Sequence, residues 1–255
     1  MKKRLYRNKT EIFNRINSQK GQIAILIDPE KIETDRQLSA LISKAQAASI
    51  DYFFIGGSTV TRKDMEHVVS YLKENTKIPL VIFPGSSHQI SPDADAILLL
   101  SLLSGRNPDY LIGHHILASH ELHKSKLEIL PTAYILIEGG TKSSVAYVSQ
   151  TTPIPLEQEQ IALQTAIAGV MQGKKVIYFD AGSGAKNTVP PALIEMTTHE
   201  LPDYPVIVGG GIRTIDDIQN FKNSANVIVI GNHIEKNPEF LLDIALMKSK
   251  ENFEF

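Results

Sequence analysis

Three segments of the second half of the chain are rich in glycine and other small residues. One of them also contains an aspartate, and another contains an asparagine. These segments are YFDAGSGA (178–185), VGGGIRT (208–214) and IGNHI (230–234). Glycine lets the main chain approach an anion closely, and backbone N–H groups and helix starts favour negative charge. The pattern predicts a phosphate site, with Asp180 available to orient or deprotonate a hydroxyl group. The alternative is that the glycines only shape tight turns.

Two segments of the first half carry different chemistry. IDPEK (27–31) places Asp28 after an apolar run, and GGST (56–59) places Ser58 after the next one. A carboxylate beside a hydroxyl is a plausible Mg²⁺ site, because that ion takes one or two carboxylates together with phosphate oxygens of a substrate. The alternative for Asp28 is that its carboxylate caps the following turn.

Several other patterns do not indicate a site. Asp216 and Asp217 follow Thr214 at a predicted helix start, which favours a capping box. GGTKSS (139–144) lacks the P-loop spacing. The chain has no cysteine, which excludes disulfides, thiolate zinc sites and cysteine nucleophiles. The four histidines between residues 114 and 123 are more typical of a solvated or partner-facing helix than of zinc ligands.

The elements that must position these residues alternate regularly along the chain. Eight apolar runs predict strands at 22–28, 51–57, 78–85, 95–101, 127–137, 175–182, 205–211 and 226–232. Helical patterns occupy 4–18, 35–48, 62–74, 108–124, 156–172, 190–199, 214–222 and 237–249. Strands that are apolar on both faces are typical of parallel sheets covered by helices.

This order predicts a (β/α)8 TIM barrel, with a doubly wound open sheet as the runner-up. The connection after the third strand, 84–94, has little helical character, so irregular structure should replace the helix there. The connection after the fifth strand, 138–155, is also long. Chemistry in such barrels sits in the loops at the carboxyl ends of the strands.

Size and composition agree with one barrel domain over 1–255 that includes an amino-terminal helix. The chain has 255 residues, 42% of them hydrophobic, and a formal net charge of -2. This charge argues against a nucleic-acid partner, which usually requires a basic excess. The longest apolar stretch, 96–103, is far shorter than the roughly 20 residues of a membrane-spanning helix. With no signal-peptide pattern, we expect a cytoplasmic protein.

Seven motifs together resemble the geranylgeranylglyceryl phosphate synthase family, including the bacterial PcrB-type heptaprenylglyceryl phosphate synthases. The motifs are IDPEK (27–31), FIGGST (54–59), FPGS (83–86), EGGTKSSVAYVSQTTPIP (138–155), YFDAGSGA (178–185), VGGGIRT (208–214) and IGNHIEKNP (230–238). The resemblance implies a Mg²⁺-dependent prenyltransferase. Such an enzyme joins sn-glycerol 1-phosphate to a polyprenyl diphosphate, such as geranylgeranyl diphosphate, forms an ether and releases diphosphate.

The resemblance also implies roles for individual residues. Asp28 and Ser58 would hold Mg²⁺ and the diphosphate, and Asp180 would be the catalytic base. Glycerol phosphate would lie against Tyr178, Phe179, Asp180, Ala181, Gly182, Ser183, Gly184, Gly209, Gly210, Gly231 and Asn232. The family usually has glutamate where this chain has Asp180, and the shorter arm moves the carboxylate by about one methylene.

The resemblance also suggests how the protein assembles and where it binds the prenyl chain. The family generally forms homo-oligomers, and an amphiphilic substrate suggests peripheral contact with a membrane. The long loops after the third and fifth strands, with Tyr147, are expected to line a groove for the prenyl chain. Two other functions stay open: a phosphate-handling isomerase or cyclase of the histidine or tryptophan type, and a scaffold that binds phosphate without turnover.

Overall fold

In a computed structural model, which describes residues 10–251, eight parallel strands close into one barrel in sequence order. The predicted fold is confirmed. The strands are β1 (Gln22–Ile27), β2 (Tyr52–Ile55), β3 (Leu80–Ile82), β4 (Ala96–Leu102), β5 (Glu128–Leu136), β6 (Val176–Asp180), β7 (Val206–Gly209) and β8 (Val227–Ile230). Parallel pairing between β8 and β1 closes the sheet.

Ten α-helices accompany the strands among the described residues. They are α1 (Glu11–Ser18), α2 (Asp35–Ala47), α3 (Arg62–Asn75), α4 (His114–Lys124), α5 (Ser144–Ser149), α6 (Glu159–Met171), α7 (Pro191–Glu200), α8 (Ile215–Lys222), α9 (Asn232–Lys236) and α10 (Phe240–Glu251). A 3-10 turn at Pro29–Lys31 follows β1, and a π-helical turn at Asp109–Gly113 leads into α4.

The predicted elements agree with the structure except in short segments. No helix lies between β3 and β4, as the sequence predicts. The predicted leading helix at 4–18 is present as α1, while residues 4–9 lie outside the described part of the chain. The short helices α5 and α9 were not predicted, because five or six residues carry too little periodicity to be distinguished from a loop.

Alternation along the strands builds two apolar layers. Tyr52, Phe54 and Tyr178 pack inside the barrel. Phe53 and Phe179, one residue away along the same strands, pack outward against the helices. Successive side chains of a strand point to opposite faces, so strands buried on both faces must be apolar throughout.

Helix α1 closes the amino-terminal end of the barrel. Ile12 and Ile16 pack into the interior layer. The Glu128 carboxylate accepts a hydrogen bond from the Ile12 backbone N–H and another from that of Phe13, each at 2.8 Å. At the other end of the helix, Gln22 Nε2 donates to Ile16 O at 2.9 Å. These bonds satisfy backbone groups that a helix terminus otherwise leaves unpaired.

Candidate functional site

A cleft of about 400 Å³ opens at the carboxyl ends of the strands. The loops after β1, β2, β3, β6, β7 and β8 all contribute residues to its lining, as do β4 and α4. Most of the residues predicted from the sequence line this one cleft: Asp28, Ser58, Tyr178, Asp180, Gly182, Ser183, Gly184, Gly210, Gly231 and Asn232.

Asp180 ends β6 and is fixed by two hydrogen bonds. Tyr134 Oη donates to Asp180 Oδ2 at 2.6 Å, and the Gly182 backbone N–H donates to Asp180 Oδ1 at 2.7 Å. The residue is only 8% exposed. A carboxylate held in this way keeps one orientation relative to the glycine-rich turn that follows it.

Three aromatic rings pack against one another in the part of the cleft that contains Asp180. Phe83 stacks on Tyr178 with ring centroids 5.2 Å apart, and Tyr134 packs edge-on to both rings. Burial raises the pKa of Asp180, while the hydrogen bonds from Tyr134 and Gly182 oppose that rise. A carboxylate with a raised pKa is a stronger base, which suits the removal of a proton from a hydroxyl.

Tyr134 belongs to none of the sequence motifs, yet it donates a hydrogen bond to the Asp180 carboxylate. Its removal should change the pH dependence of turnover. In Tyr134→Phe, loss of the hydrogen bond that lowers the pKa of Asp180 should move the acid limb of the kcat/KM profile to higher pH. The loss of activity should therefore be larger at pH 6 than at pH 8. Tyr147→Phe, at a tyrosine that is 86% exposed, is the control. An unmoved acid limb in Tyr134→Phe would contradict the assignment.

The turn after β6 and the turn after β7 meet backbone to backbone. Gly210 has a φ of +83°, and a Cβ on it would lie 2.8 Å from Ala181 N, Gly182 N and Asp180 Oδ1. Gly182 also has a positive φ, of +88°. These glycines are therefore required for the close approach, and they bring two backbone nitrogens and a carboxylate oxygen next to one another.

The turns that contain Gly182, Gly184 and Gly210 form the predicted phosphate cradle. Gly210→Ala should weaken binding of glycerol phosphate by about tenfold or more, because a displaced cradle loses at least one good hydrogen bond to the phosphate. Gly173→Ala is a matched control. Gly173 has a φ of +84°, and a Cβ there would have no heavy atom within 4 Å. The two variants share the backbone strain, and only the first disturbs the site. Calorimetry on the folded proteins measures the affinity, and equal affinities would place the cradle elsewhere.

Two further predicted residues complete this side of the cleft. Ser183 Oγ donates to Asn232 Oδ1 at 2.9 Å, which joins the loop after β6 to the start of α9. A Cβ on Gly231 would lie 3.4 Å from Leu26, an ordinary contact, so this position is less crowded than Gly210.

Three residues of the predicted phosphate stretch do not line the cleft. Phe179 and Ala181 pack in the layer between barrel and helices, because they alternate with Tyr178 and Asp180 along the strand. A Cβ on Gly209 would lie 2.7 Å from Tyr178 Oη, so this glycine makes room for the tyrosine. The side chains of Phe179 and Ala181 are thus turned away from the cleft, and the Ala181 backbone N–H donates to Gly209 O at 3.0 Å.

Asp28 lies on the opposite side of the cleft, and its carboxylate caps the following turn, which is one of the two roles considered from the sequence. Its Oδ1 accepts from the Glu30 backbone N–H at 3.2 Å, which caps the 3-10 turn. Its Oδ2 lies 3.4 Å from Lys31 Nζ. A Cβ on Gly57 would lie 2.8 Å from Asp28 Oδ1, so the loop that carries Ser58 runs directly beside the carboxylate.

The donor set on this side fits a cation that arrives with a phosphate-bearing ligand. Among residues 10–251, no group of three or more histidine, aspartate or glutamate side chains is arranged to hold a metal ion. One carboxylate and one hydroxyl are too few for a resident site. They are sufficient for Mg²⁺, which keeps several waters and takes phosphate oxygens from its substrate.

Gln89, in the segment that replaces a helix after β3, holds the loops beside Asp28 together. It is fully buried. Its Oε1 accepts from the Gly85 backbone N–H at 2.8 Å, and its Nε2 donates to Gly57 O at 2.9 Å and Val60 O at 3.1 Å. A glutamine carries no recognisable signal in a loop of the sequence, so its role follows only from the structure.

The cleft continues into an apolar branch lined by β4 and α4. Ile97 and Leu99 on the strand and Ala118 and Leu122 on the helix contribute to its lining, together with Ile90 from the segment after β3. The sequence analysis expected the long loops after β3 and β5 to line a groove for the prenyl chain. Both loops contribute residues to the cleft, but β4 and α4 line the apolar branch as well.

Tyr147 does not line the cleft and is exposed, although its neighbours Val145 and Val148 on α5 do line it. The histidines of α4 were interpreted as solvated or partner-facing rather than as zinc ligands, and of these His114 and His115 lie in the lining of the cleft. His115 Nε2 donates to Leu100 O at 2.6 Å, and burial lowers the pKa of His115.

Membrane-spanning helices are not found: within the described chain, every helix is too short or too polar to cross a bilayer.

Comparison with known proteins agrees with this geometry. A family model described as the PcrB family matches residues 14–249. A geranylgeranylglyceryl phosphate synthase of Flavobacterium johnsoniae is 46% identical, over 86% of this chain and 89% of the relative. One from Chitinophaga pinensis is 42% identical, over 92% and 94% respectively.

Solved structures give the same relationship. The crystal structure of (S)-3-O-geranylgeranylglyceryl phosphate synthase from Thermoplasma acidophilum, in complex with its substrate sn-glycerol-1-phosphate, has a TM-score of 0.84 at 33% identity. It is matched over 92% of this chain and 94% of its own. A tryptophan synthase alpha-subunit from Pyrococcus furiosus has a TM-score of 0.51 at 12% identity, which is a likeness of fold alone. The chain thus belongs to the PcrB family and is similar along most of its length to geranylgeranylglyceryl phosphate synthases.

Proposed function

We propose that this protein is a prenyltransferase that joins sn-glycerol 1-phosphate to a polyprenyl diphosphate, such as geranylgeranyl diphosphate. The product is an ether-linked prenylglyceryl phosphate, and diphosphate is released. The observation that carries this proposal is the apolar branch between β4 and α4, which continues from the same cleft as the glycine-rich turns. A phosphoribosyl isomerase or cyclase has no use for such a branch.

Glycerol phosphate would bind with its phosphate at the backbone of Gly184 and Gly210 and beside Ser183 and Asn232. Backbone N–H groups in this kind of turn form a concave site for an anion. A glycerol phosphate is short, so its hydroxyls then lie within reach of Asp180, which is hydrogen-bonded to the same turn.

In the chemical step, an oxygen of the glycerol attacks the first carbon of the prenyl chain. The new C–O bond forms as the bond from that carbon to the diphosphate oxygen breaks, and the electron pair leaves with the diphosphate. Asp180 accepts the proton of the attacking hydroxyl. Tyr134 and Gly182 keep the carboxylate oriented during this transfer.

Asp28 and Ser58 would hold Mg²⁺ through one carboxylate and one hydroxyl oxygen. When bound, this ion supplies positive charge that stabilises the departing diphosphate. The prenyl chain would lie along Ile97, Leu99 and Leu122 in the apolar branch, where its burial from water favours binding by about 25 cal/mol per Å² of apolar area.

A product assay tests the proposal. Radiolabelled sn-glycerol 1-phosphate is incubated with geranylgeranyl diphosphate and Mg²⁺, with and without a chelator, and extracted lipid is analysed. Formation of a labelled ether lipid only in the presence of Mg²⁺ would support the whole proposal. Tight binding of glycerol phosphate without product would favour the scaffold alternative, and product formation in the chelator would contradict the magnesium requirement.

Other expectations derived from the sequence stay predictions. These are the single domain over 1–255, a homo-oligomer, a cytoplasmic location and peripheral contact with a membrane. The exposed side chains Ile116 and Leu117 on α4, the helix that also lines the apolar branch, are compatible with such contact.

A further inference from the structure

Helix α9 contacts both sides of the cleft within four residues. Its first residue, Asn232, accepts the hydrogen bond from Ser183 Oγ at 2.9 Å. Its fourth residue, Glu235, accepts from Lys31 Nζ at 2.7 Å. One short helix therefore connects the turn after β6 to the turn after β1.

Lys31 is shared between two carboxylates. Its Nζ lies 2.7 Å from Glu235 Oε2 and 3.4 Å from Asp28 Oδ2. The Glu235 and Asp28 side chains are about one-fifth exposed, whereas that of Lys31 is 45% exposed. The lysine is thus within reach of both carboxylates, and in this structure it lies closer to Glu235.

The position of Lys31 decides how much of Asp28 is available. A lysine drawn toward Glu235 leaves Asp28 Oδ2 open to a cation, whereas a lysine drawn toward Asp28 competes with that cation for the same oxygen. Glu235 is carried by α9, whose first residue lies beside the glycine-rich turn.

We infer that Lys31 and Glu235 couple the two substrate sites, so that glycerol phosphate bound beside Asn232 strengthens the binding of magnesium diphosphate at Asp28. The inference rests on the proposed function. Binding of the phosphate fixes α9, α9 fixes Glu235, and Glu235 holds Lys31 away from Asp28. Both are positioning residues, because they act on the substrate through Asp28.

The coupling is measured by calorimetry with a geranylgeranyl thiolodiphosphate, which does not react, in the presence of Mg²⁺. The titration is made with and without saturating sn-glycerol 1-phosphate. In the unmodified protein the glycerol phosphate should tighten diphosphate binding by about fivefold, at the low end of allosteric effects because Lys31 is partly solvated.

Two variants should change diphosphate affinity in opposite directions. In Glu235→Gln, Lys31 keeps Asp28 as its nearest carboxylate, so diphosphate should bind more weakly and the effect of glycerol phosphate should vanish. In Lys31→Met the competitor is gone, so diphosphate should bind tightly with or without glycerol phosphate. A merely structural ion pair would weaken binding in both variants.

Glu239→Gln is the control, because Glu239, just before α10, forms an ion pair with Lys44 on α2 and does not line the cleft. It should keep the fivefold effect. Retention of the effect in Glu235→Gln, or weaker diphosphate binding in Lys31→Met, would overturn the inference. The product assay on the unmodified protein separates the two proposals. If the protein is active and gives such results, only the coupling is wrong. If the protein is inactive, the proposed function is wrong.

Discussion

Replacement of Asp180 by asparagine should lower the rate of ether formation by about a hundred- to ten-thousand-fold, the usual cost of losing a general base. The amide keeps the size of the side chain. Its oxygen can still accept from the Gly182 N–H while its nitrogen donates to Tyr134 Oη, so binding of glycerol phosphate should fall much less. Single-turnover product formation at saturating glycerol phosphate measures the chemical step separately from binding.

Two other variants serve as controls for the role of Asp180. Asp180→Glu restores the residue that the family usually carries, and it should keep at least part of the activity. Asp216→Asn changes an acidic residue in the first turn of α8, outside the cleft lining, and should have no effect. If Asp180→Asn runs within about threefold of the parent, Asp180 is a structural carboxylate and the proton leaves to water or to the departing diphosphate.

Replacement of Asp28 by alanine should abolish turnover, while the affinity for glycerol phosphate changes by no more than about twofold. The reason is the separation of roles in the cleft: Asp28 belongs to the turn after β1, and the glycine-rich cradle belongs to β6, β7 and β8. A lost cation contact costs several kcal/mol of charge stabilisation in the transition state, which is about a hundredfold or more in rate.

The variant Asp28→Asn distinguishes the role of Asp28 in binding the cation from its role in capping the 3-10 turn. The asparagine oxygen can still accept from the Glu30 backbone N–H, so the 3-10 turn should persist while the charge is lost. We expect this variant to be nearly as inactive as Asp28→Ala. Asp203→Ala, at an exposed turn residue between α7 and β7, controls for the loss of one acidic side chain. Equal loss of glycerol phosphate binding and turnover in Asp28→Asn would contradict the assignment to the diphosphate side.

The barrel and much of its rim could be predicted because strand ends carry strong local signals. Most strand residues on both faces are buried, and an aspartate or a glycine follows β1, β2, β7 and β8 directly where the chain turns. Asp28, Asp180 and Gly210 come from such positions. The strand order of a parallel barrel then brings them to one rim, so no further information is needed to place them together.

The remaining features depend on distances that the sequence does not contain. Tyr134 contacts Asp180 because the register of β5 against β6 aligns Tyr134 with Tyr178, two residues before the strand end. Gln89 can bond to the loops after β2 and β3 only because the fold brings both loops beside its side chain. The apolar branch requires α4 to lie at a particular distance from β4, and an apolar strand followed by a helix has the same pattern whether or not a gap separates them.

The hydrogen bonds from α1 to Glu128 also constrain how the molecule assembles. They join residues 116 and 115 positions apart, so the helix is synthesised long before the strand that receives it. Ile12 and Ile16 must stay without their partners until β5 has formed and the sheet has curved around them. Such long-range contacts slow folding, because the entropy of closing the intervening chain is lost before the contact forms. The docking of α1 is therefore expected to be a late event, and the nascent chain is exposed to aggregation until it occurs.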